Sequence, residues 1–360
     1  MIEIPVNLDA RSYRILVGLG ALDRVGAELR RAGVGRKATL VSDRAIVDLH
    51  GPRVTGSVRA AGFELTEILV PAGEAAKTLE VARGGWDALL QAGLDRTSTV
   101  IALGGGAVGD LAGFIAATYM RGVNFVQLPT TLLAQVDAAI GGKTAIDHPR
   151  GKNLIGAFHQ PRFVLADPGV LASLSERQYL SGLAEMIKHG IVLDAAYFGD
   201  LEGCLPALLA RDLDTMTRTI AGSCRIKAGV VERDEQEAEL RHVLNYGHTV
   251  GHALEAVTGF GRWTHGEADS LGIVAEARIA ERLGLATGDT VARQVNLLER
   301  AGLPVRGIGV PPAAVLEAMK RDKKARDGRV PFVLAPEIGA FRVVYDVPPG
   351  VVLETLEEIG

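Results

Sequence analysis

His248 and His252 stand four residues apart in HVLNYGHTVGHALE, residues 242–255. Over a helix spanning 241–255, Arg241, Asn245, His248 and His252 fall at i, i+4, i+7 and i+11, one stripe of one face. With Gly247, Val250, Gly251 and Leu254 on the same segment, that stripe predicts a wet cleft rather than open surface. HTVGH has the spacing of HExxH, but Thr249 stands where a metalloprotease needs its general-base glutamate. A catalytic zinc takes three N or O protein ligands and keeps one position open. Glu185 in GLAEMIKHG, one helical turn before Lys188, and His265 in RWTHGEADSLG complete a His2Glu set with His248. His252 is then a second ligand or a proton carrier. His189 and His242 are expected at the surface.

Lysine is scarce, with 9 lysines against 30 arginines. A chain that uses arginine for generic surface charge makes each lysine a candidate for a compact donor or a point charge on a phosphate. STVIALGGGAVGDLAGF reads as strand, glycine turn and helix, and Gly104, Gly106 and Gly109 satisfy G-x-G-x-x-G. Such a turn lets amides approach a pyrophosphate at a helix N-terminus. The acid that normally follows ~20 residues later has no counterpart in NFVQLPTT, so a nucleotide is expected in a non-standard arrangement. The competing reading is a tight turn packed on its sheet. A second turn, AAIGGKTAID, presents Gly141, Gly142 and Lys143. It is not a Walker A loop, because no upstream glycine stands at the required spacing. GKNLIGAFHQP follows with Lys152 and Asn153. Two polar, lysine-bearing turns so close together predict a phosphate or carboxylate pocket.

The elements that must position these groups change character along the chain. RILVG, KATLVSD, FELTEILV, STVIALGGG, NFVQLP and RFVLAD read as short buried strands. GALDRVGAELRRAG, TLEVARGGWDALLQAG and VGDLAGFIAATYM read as the helices between them. That alternation predicts an α/β domain with a doubly wound, mostly parallel sheet over residues 1–167. Residues 168–360 read as a second, mostly α-helical domain that carries the metal and substrate residues. A small hairpin is expected in GRVPFVLAPEIGAFRVVYDVP. At 360 residues and 48% apolar content the chain can build two cores. MIEIPVNLDARSYRI is not a signal peptide, and no apolar run reaches the ~18–20 residues a bilayer requires. Cys204 and Cys224 form no CxxC, which suits a reducing cytoplasm. A net charge of −4 argues against nucleic acid as the partner.

GGGAVGDLAGFIAATYMRG, QLPTTLLAQVDAAIGGKTAID, GKNLIGAFHQP, GLAEMIKHG, LRHVLNYGHTVGHALE, HGEA and RDKK together resemble the successive signatures of the 3-dehydroquinate synthase family, in order, over residues 104–324. The resemblance implies that Glu185, His248 and His265 hold a zinc ion, with cobalt as the alternative, and that His252 handles protons. It implies substrate contacts at Lys143, Lys152, Asn153, Lys188, Lys227, Arg241 and Asn245, with Glu237 kept in the same motif as Arg241. Lys323 or Lys324 adds an anion contact. It implies NAD contacts at Asp43, Glu74, Lys77, Gly105, Gly106, Asp110, Thr130 and Thr131, with Asp137 near the nicotinamide and Lys143 and Lys152 beside it. Arg121 matches an arginine that reaches the neighbouring subunit's site, so a homodimer is implied. Two departures stand out. Glu239 replaces the glycine usual in D-E-x-E-x-G-x-R, and HGEADSLG differs from the common HGEAVAxG.

The family's substrate is a phosphorylated sugar acid, 3-deoxy-D-arabino-heptulosonate 7-phosphate. The implied reaction oxidises it transiently with NAD, eliminates phosphate, returns the hydride and closes the ring by an intramolecular aldol step to 3-dehydroquinate. The competing expectations are another sugar phosphate cyclase and a metal-dependent polyol dehydrogenase, the latter with net NADH formation.

Overall fold

The computed structural model describes residues 1–259, 261–320 and 330–360. The chain divides into two compact units, one of Met1–Leu174 with Met216–Gln236, the other of Ser175–Thr215 with Glu237–Gly360.

The first unit is built on seven strands, β1 (Ile2–Val6), β2 (Tyr13–Val17), β3 (Lys37–Asp43), β4 (Glu64–Val70), β5 (Thr99–Gly104), β6 (Asn124–Pro129) and β9 (Phe163–Ala166), ordered β1-β2-β9-β6-β5-β3-β4. Only β1 and β2 pair antiparallel; the others pair parallel. The central strands are buried on both faces, which is why their sequences are continuous apolar runs. Pleating separates the faces. Val100, Ala102 and Phe125 pack in one core with Leu89 of α3 (Leu79–Gln91) and Leu111 and Ile115 of α4 (Gly106–Thr118). Ile101 and Leu103 alternate to the opposite face. Two further helices, α1 (Val25–Arg31) and α2 (Arg44–Ala60), pack on each other, and α2 covers β3, β4 and β5. From β3 the chain steps outward to β4 and then returns to β5 on the other side, so the strand order reverses between β3 and β5. Ligands of such sheets bind beyond the carboxyl ends of the strands at that reversal.

Three features of this unit depart from the sequence reading. Strand β1 and helix α2 were not anticipated. The two lysine-bearing turns are the start and middle of a hairpin, β7 (Lys143–His148) with β8 (Gly151–Phe158). And helix α7 (Leu213–Arg233), which lies in the stretch expected to be wholly second-domain, belongs from Met216 onward to the first unit.

The second unit is helical: α5 (Glu176–Leu193), α6 (Ala195–Leu209), α8 (His248–Val257), α9 (His265–Arg282), α10 (Gly288–Arg300), α11 (Pro312–Lys320) and α12 (Pro349–Glu358). The expected tail hairpin is β10 (Phe332–Leu334) with β11 (Arg342–Val344). Helix α9 is the axis, packing against α5, α8, α10 and α12. Its start is fixed by a capping box. Thr264 accepts from the Glu267 amide, and the Glu267 carboxylate accepts from the Thr264 amide at 2.7 Å. No described helix is long and apolar enough to cross a membrane.

Candidate active site

The expected single helix over 241–255 is two pieces. Leu240–Asn245 is a 3-10 turn, Gly247 follows at φ +82°, and α8 begins at His248. Gly247 is required twice over, because its φ is left-handed and a Cβ would stand 2.8 Å from the Asp269 carbonyl oxygen. The break removes Arg241 and Asn245 from the histidine stripe. It also places His248 on the first turn of α8, where the chain enters the contact with α9.

Three elements of the second unit converge there. Glu185 comes from α5, His248 from α8, and His265 and Asp269 from α9, and one ligand atom of each lies within 4.8 Å of all the others. His265 Nε2 is 3.5 Å from Glu185 Oε1, and His248 Nε2 is 3.9 Å from the same oxygen. A tetrahedral ion with ~2.0–2.1 Å bonds separates its ligand atoms by about 3.3 Å, so the spacing is that of a coordination shell. Glu185 is fully buried, and neither of its oxygens accepts an aligned hydrogen bond. Lys188, one turn along α5, ion-pairs with it. Burial works against the charged carboxylate, but Lys188 and the two imidazoles outweigh it and hold Glu185 well below the ordinary range. Burial, then Lys188, keeps His248 neutral well below its usual value. Burial opposes charging of His265 too, but Asp269, Glu185 and Glu255 raise it well above the usual range. Two imidazoles and two buried carboxyls short of hydrogen bonds form a donor set that can hold a divalent cation.

His252 stands one turn after His248, its ring centroid 4.9 Å from His248 and 6.0 Å from His265. It forms a second, more exposed group with Glu255 and His265, a placement suited to moving a proton beside the first. Arg241 is 2% exposed, and Asn245 Nδ2 is 3.5 Å from His242 Nδ1. His189 is fully buried, against the expectation of a surface position. It faces inward on α5, where almost every residue from Tyr179 to Val192 is buried. Lys323 and Lys324 lie outside the described residues.

The first unit gathers the other group. Asp43 ends β3, Gly104 ends β5, and Thr130 follows β6, all at carboxyl ends beside the strand-order reversal. Gly105 is the N-cap of α4 and offers no side chain, so the first amides of α4 are open to an anion. Gly109 meets the competing requirement of close packing, since a Cβ would lie 2.7 Å from Gln127 Oε1. The hydroxyl of Thr130 is buried without a hydrogen bond, while Thr131 Oγ1 accepts from Ala134 N at 3.1 Å. Asp43 caps α2 by accepting from Ile46 N. An uncapped helix start beside an unsatisfied buried hydroxyl fits a dinucleotide.

Lys77, 2% exposed, donates to Asp110 at 2.8 Å and to Asn153, with Asp147 at 3.8 Å and Glu74 at 3.9 Å. Burial raises Glu74 against the pull of Lys77 and Lys152. Residues expected to serve cofactor and substrate therefore form one charged cluster. Asn153, at φ +57°, is fixed by a 2.8 Å bond from its amide to Asp147. Lys227 of α7 donates to the Asp137 carbonyl at 2.6 Å and to its carboxylate, across a π-turn at Ala134–Ala138. Lys143 is exposed at the start of β7, Arg121 is exposed after α4, and Glu237 is half-buried at φ +60°. Asp147, Glu255 and Asp269 were missed in the sequence. For Asp269 the signal was available, since it lies at i+4 from His265 on a segment read as helical.

Comparison with known proteins follows this geometry. The 3-dehydroquinate synthase N-terminal family model matches residues 67–181 and the C-terminal model matches residues 182–325. A 3-dehydroquinate synthase from Geobacter metallireducens is 50% identical over 344 residues, 96% of each chain. One from Microcystis aeruginosa is 46% identical over 355 residues, 98% of this chain and 97% of the other. Among solved structures, ValA, a 2-epi-5-epi-valiolone synthase from Streptomyces hygroscopicus subsp. jinggangensis with NAD+ and Zn2+ bound, superposes with a TM-score of 0.89 at 27% identity, covering 98% of each chain. A glycerol dehydrogenase-like protein from Sinorhizobium meliloti, at 15% identity and TM-score 0.66, shares the fold alone. With relatives this similar over nearly the whole length, the chain belongs to the 3-dehydroquinate synthase family.

Proposed function

We propose that this chain converts 3-deoxy-D-arabino-heptulosonate 7-phosphate to 3-dehydroquinate and phosphate, a step towards aromatic amino acids, with NAD and a divalent metal as cofactors. The observation that carries this reading is the convergence of Glu185, His248 and His265 in a family member. When bound, NAD supplies a reversible hydride acceptor, and the metal, zinc or cobalt, supplies positive charge beside the oxygen whose carbon is oxidised.

The residues do the rest. Glu185, His248 and His265 hold the metal. Gly105 and Gly106 present the α4 amides to the pyrophosphate, and Thr130, Thr131, Asp43 and Glu74 border it. Lys77 and Asp110, locked together at 2.8 Å, fix the cofactor side of the pocket, with Asp137 held by Lys227 toward the nicotinamide. Lys143, Lys152 and Lys188 bind the anionic ends of the substrate as point charges and Asn153 through its amide, and Arg241 with Asn245 and Glu237 orients it. His252 takes up the proton removed from carbon as phosphate leaves.

A homodimer with Arg121 reaching the partner's site is part of the proposal. Met120, Arg121 and Gly122 take φ of +48°, +67° and +117° in succession, a strained exposed turn of the kind kept for function, at ~1–3 kcal/mol per strained residue. Met120, Leu154, Ile155 and Phe158 expose apolar surface in the same unit, as a subunit contact requires. The cytoplasm, whose reducing conditions suit the free Cys204 and Cys224, is the proposed location. Incubation with the heptulosonate phosphate, NAD+ and Zn2+ tests the reading. Release of phosphate and carbocycle without lasting NADH is expected. Net NADH would indicate a polyol dehydrogenase, and inertness toward this substrate would indicate a different sugar phosphate cyclase.

A further inference from the structure

Position 269 is where HGEADSLG departs from HGEAVAxG, an aspartate in place of valine. An exposed aspartate there would be trivial. Asp269 is instead 1% exposed, and neither carboxylate oxygen accepts an aligned hydrogen bond. Oδ2 lies 3.0 Å from His265 Nε2, the same nitrogen that stands 3.5 Å from Glu185 Oε1. Oδ1 lies 3.6 Å from His248 Nδ1. Room for it is made on α8, where any residue but glycine at 251 would put a Cβ 2.7 Å from Oδ1.

We propose that Asp269 is a fourth protein donor of the metal centre through Oδ2, with Oδ1 lying beside the His248 ring. The proposal rests on the reading of Glu185, His248 and His265 as metal ligands. Two acids buried beside each other repel unless a cation lies between them. Lys188 pairs with Glu185, while Asp269 faces the two histidines, whose ring nitrogens lie 3.0 and 3.6 Å from its oxygens. A divalent ion satisfies both. The far nitrogen of His248 meets the Tyr246 carbonyl at 3.4 Å, and a backbone carbonyl there is a common way of fixing the ring of a ligating histidine. The donor set becomes two carboxylates and two imidazoles. Compared with a His2Glu set it is harder and more anionic, so it binds divalent ions more tightly. With an open position kept for substrate, it favours five or six ligands over four, which suits Co2+ and Mn2+ better than a three-ligand site does.

The test uses the full chain and four proteins: wild type, Asp269→Val, Asp269→Asn and His248→Ala. Each is stripped with a chelator and titrated with Co2+ and then Zn2+ alone against a competing indicator. Both Asp269 variants are expected to bind Co2+ about 10- to 100-fold more weakly. Their visible Co2+ bands should intensify as the coordination number falls. Melting separates this role from a structural one. Without metal, Asp269→Val should melt at or above wild type, because an unsatisfied buried carboxylate is gone. With saturating Co2+ it should melt below wild type. Equal losses with and without metal would assign Asp269 a structural role and overturn the proposal. Unchanged Co2+ affinity and spectrum in both Asp269 variants, alongside lost binding in His248→Ala, would overturn it while leaving the metal site intact. Full binding by His248→Ala would overturn both.

Discussion

Replacing Gly272 by alanine tests whether the α8–α9 contact sets the metal geometry. A Cβ at 272 would lie 1.9 Å from the Gly247 carbonyl oxygen and 3.0 Å from the Gly251 amide. Both obstacles are backbone, so no side chain can swing away. Real Cβ atoms essentially never approach closer than 3.0 Å, so the two helices must part by about 1.1 Å at this point. Overpacking of a tight core contact costs ~1–3 kcal/mol, and a backbone clash belongs at the upper end. The displacement also moves His248 on α8 away from His265 and Asp269 on α9. A metal site tolerates only a few tenths of an ångström in ligand position. Gly272→Ala should therefore lose about 2–3 kcal/mol in urea unfolding of the metal-free chain, and in addition bind Zn2+ at least ~10-fold more weakly. Gly203→Ala is the control. It lies on an exposed turn of α6 with nothing within 4 Å of its Cβ position, so it should gain ~0.5–1 kcal/mol through the unfolded chain and leave metal affinity alone. Gly272→Ala with unchanged stability and unchanged Zn2+ affinity would refute the idea that this helix crossing positions the ligands.

Three further outcomes are expected. His248→Ala should lose bound metal, falling by at least ~100-fold in affinity, and elemental analysis of protein purified without chelator reads this directly. Lys152→Met should lower turnover by ~10²-fold or more while metal content stays at the wild-type level, since a displaced anion contact damages positioning and not the ion; near-normal turnover would remove Lys152 from the pocket. Burial disfavours the charged Glu267, but Arg177 and the Thr264 amide outweigh it and hold Glu267 below its usual 4.5. A carboxylate lowered in the folded state stabilises above its unfolded pKa and loses that contribution as pH falls through the folded one. Acid unfolding of wild type should therefore carry a component below pH about 4.5 that Glu267→Gln lacks, seen as a flatter dependence of the melting midpoint on pH.

How far the sequence revealed the fold depends on what dictates each element. Strands β2, β3, β5, β6 and β9 were legible because burial forces runs of Val, Ile and Leu; β4, expected to be buried as well, is a mostly exposed edge strand, legible from its Leu, Ile and Val content alone. Helix α2 was hidden because Gly51, Pro52 and Gly56 sit inside RAIVDLHGPRVTGSVRA and break the local signal. Its existence comes from tertiary packing, where His50, Gly51, Val54 and Val58 bury one face. The β7–β8 hairpin was hidden for a related reason. Gly141 and Gly142, at φ +93° and +67°, are true turn residues, and attention to the turn obscured the alternating strand that leaves it. Residues 216–236 joined the first unit through contacts such as Lys227 with Asp137 and Glu232 with the Asn7 amide at 2.6 Å. Pairings across 90 and 225 residues leave no periodicity to read.

The site divides along the same line. Histidines and a glutamate announce a metal by residue type, so Glu185, His248 and His265 could be proposed from type and spacing before any coordinates. Asp269 could not be weighed in the same way, because an aspartate within a helix is usually solvated. Its i+4 spacing marks it as a neighbour of His265, but burial without hydrogen bonds is what shows that it is not solvated. The same holds for His189, expected at the surface and buried by the fold. For a charged side chain, residue type says what chemistry is available, and the depth at which neighbouring helices bury it decides whether that chemistry is used. In this chain the deciding feature is a glycine-lined helix crossing: Gly247, Gly251 and Gly272 let α8 approach α9 closely enough that an aspartate one turn past His265 reaches the ligand cluster instead of water.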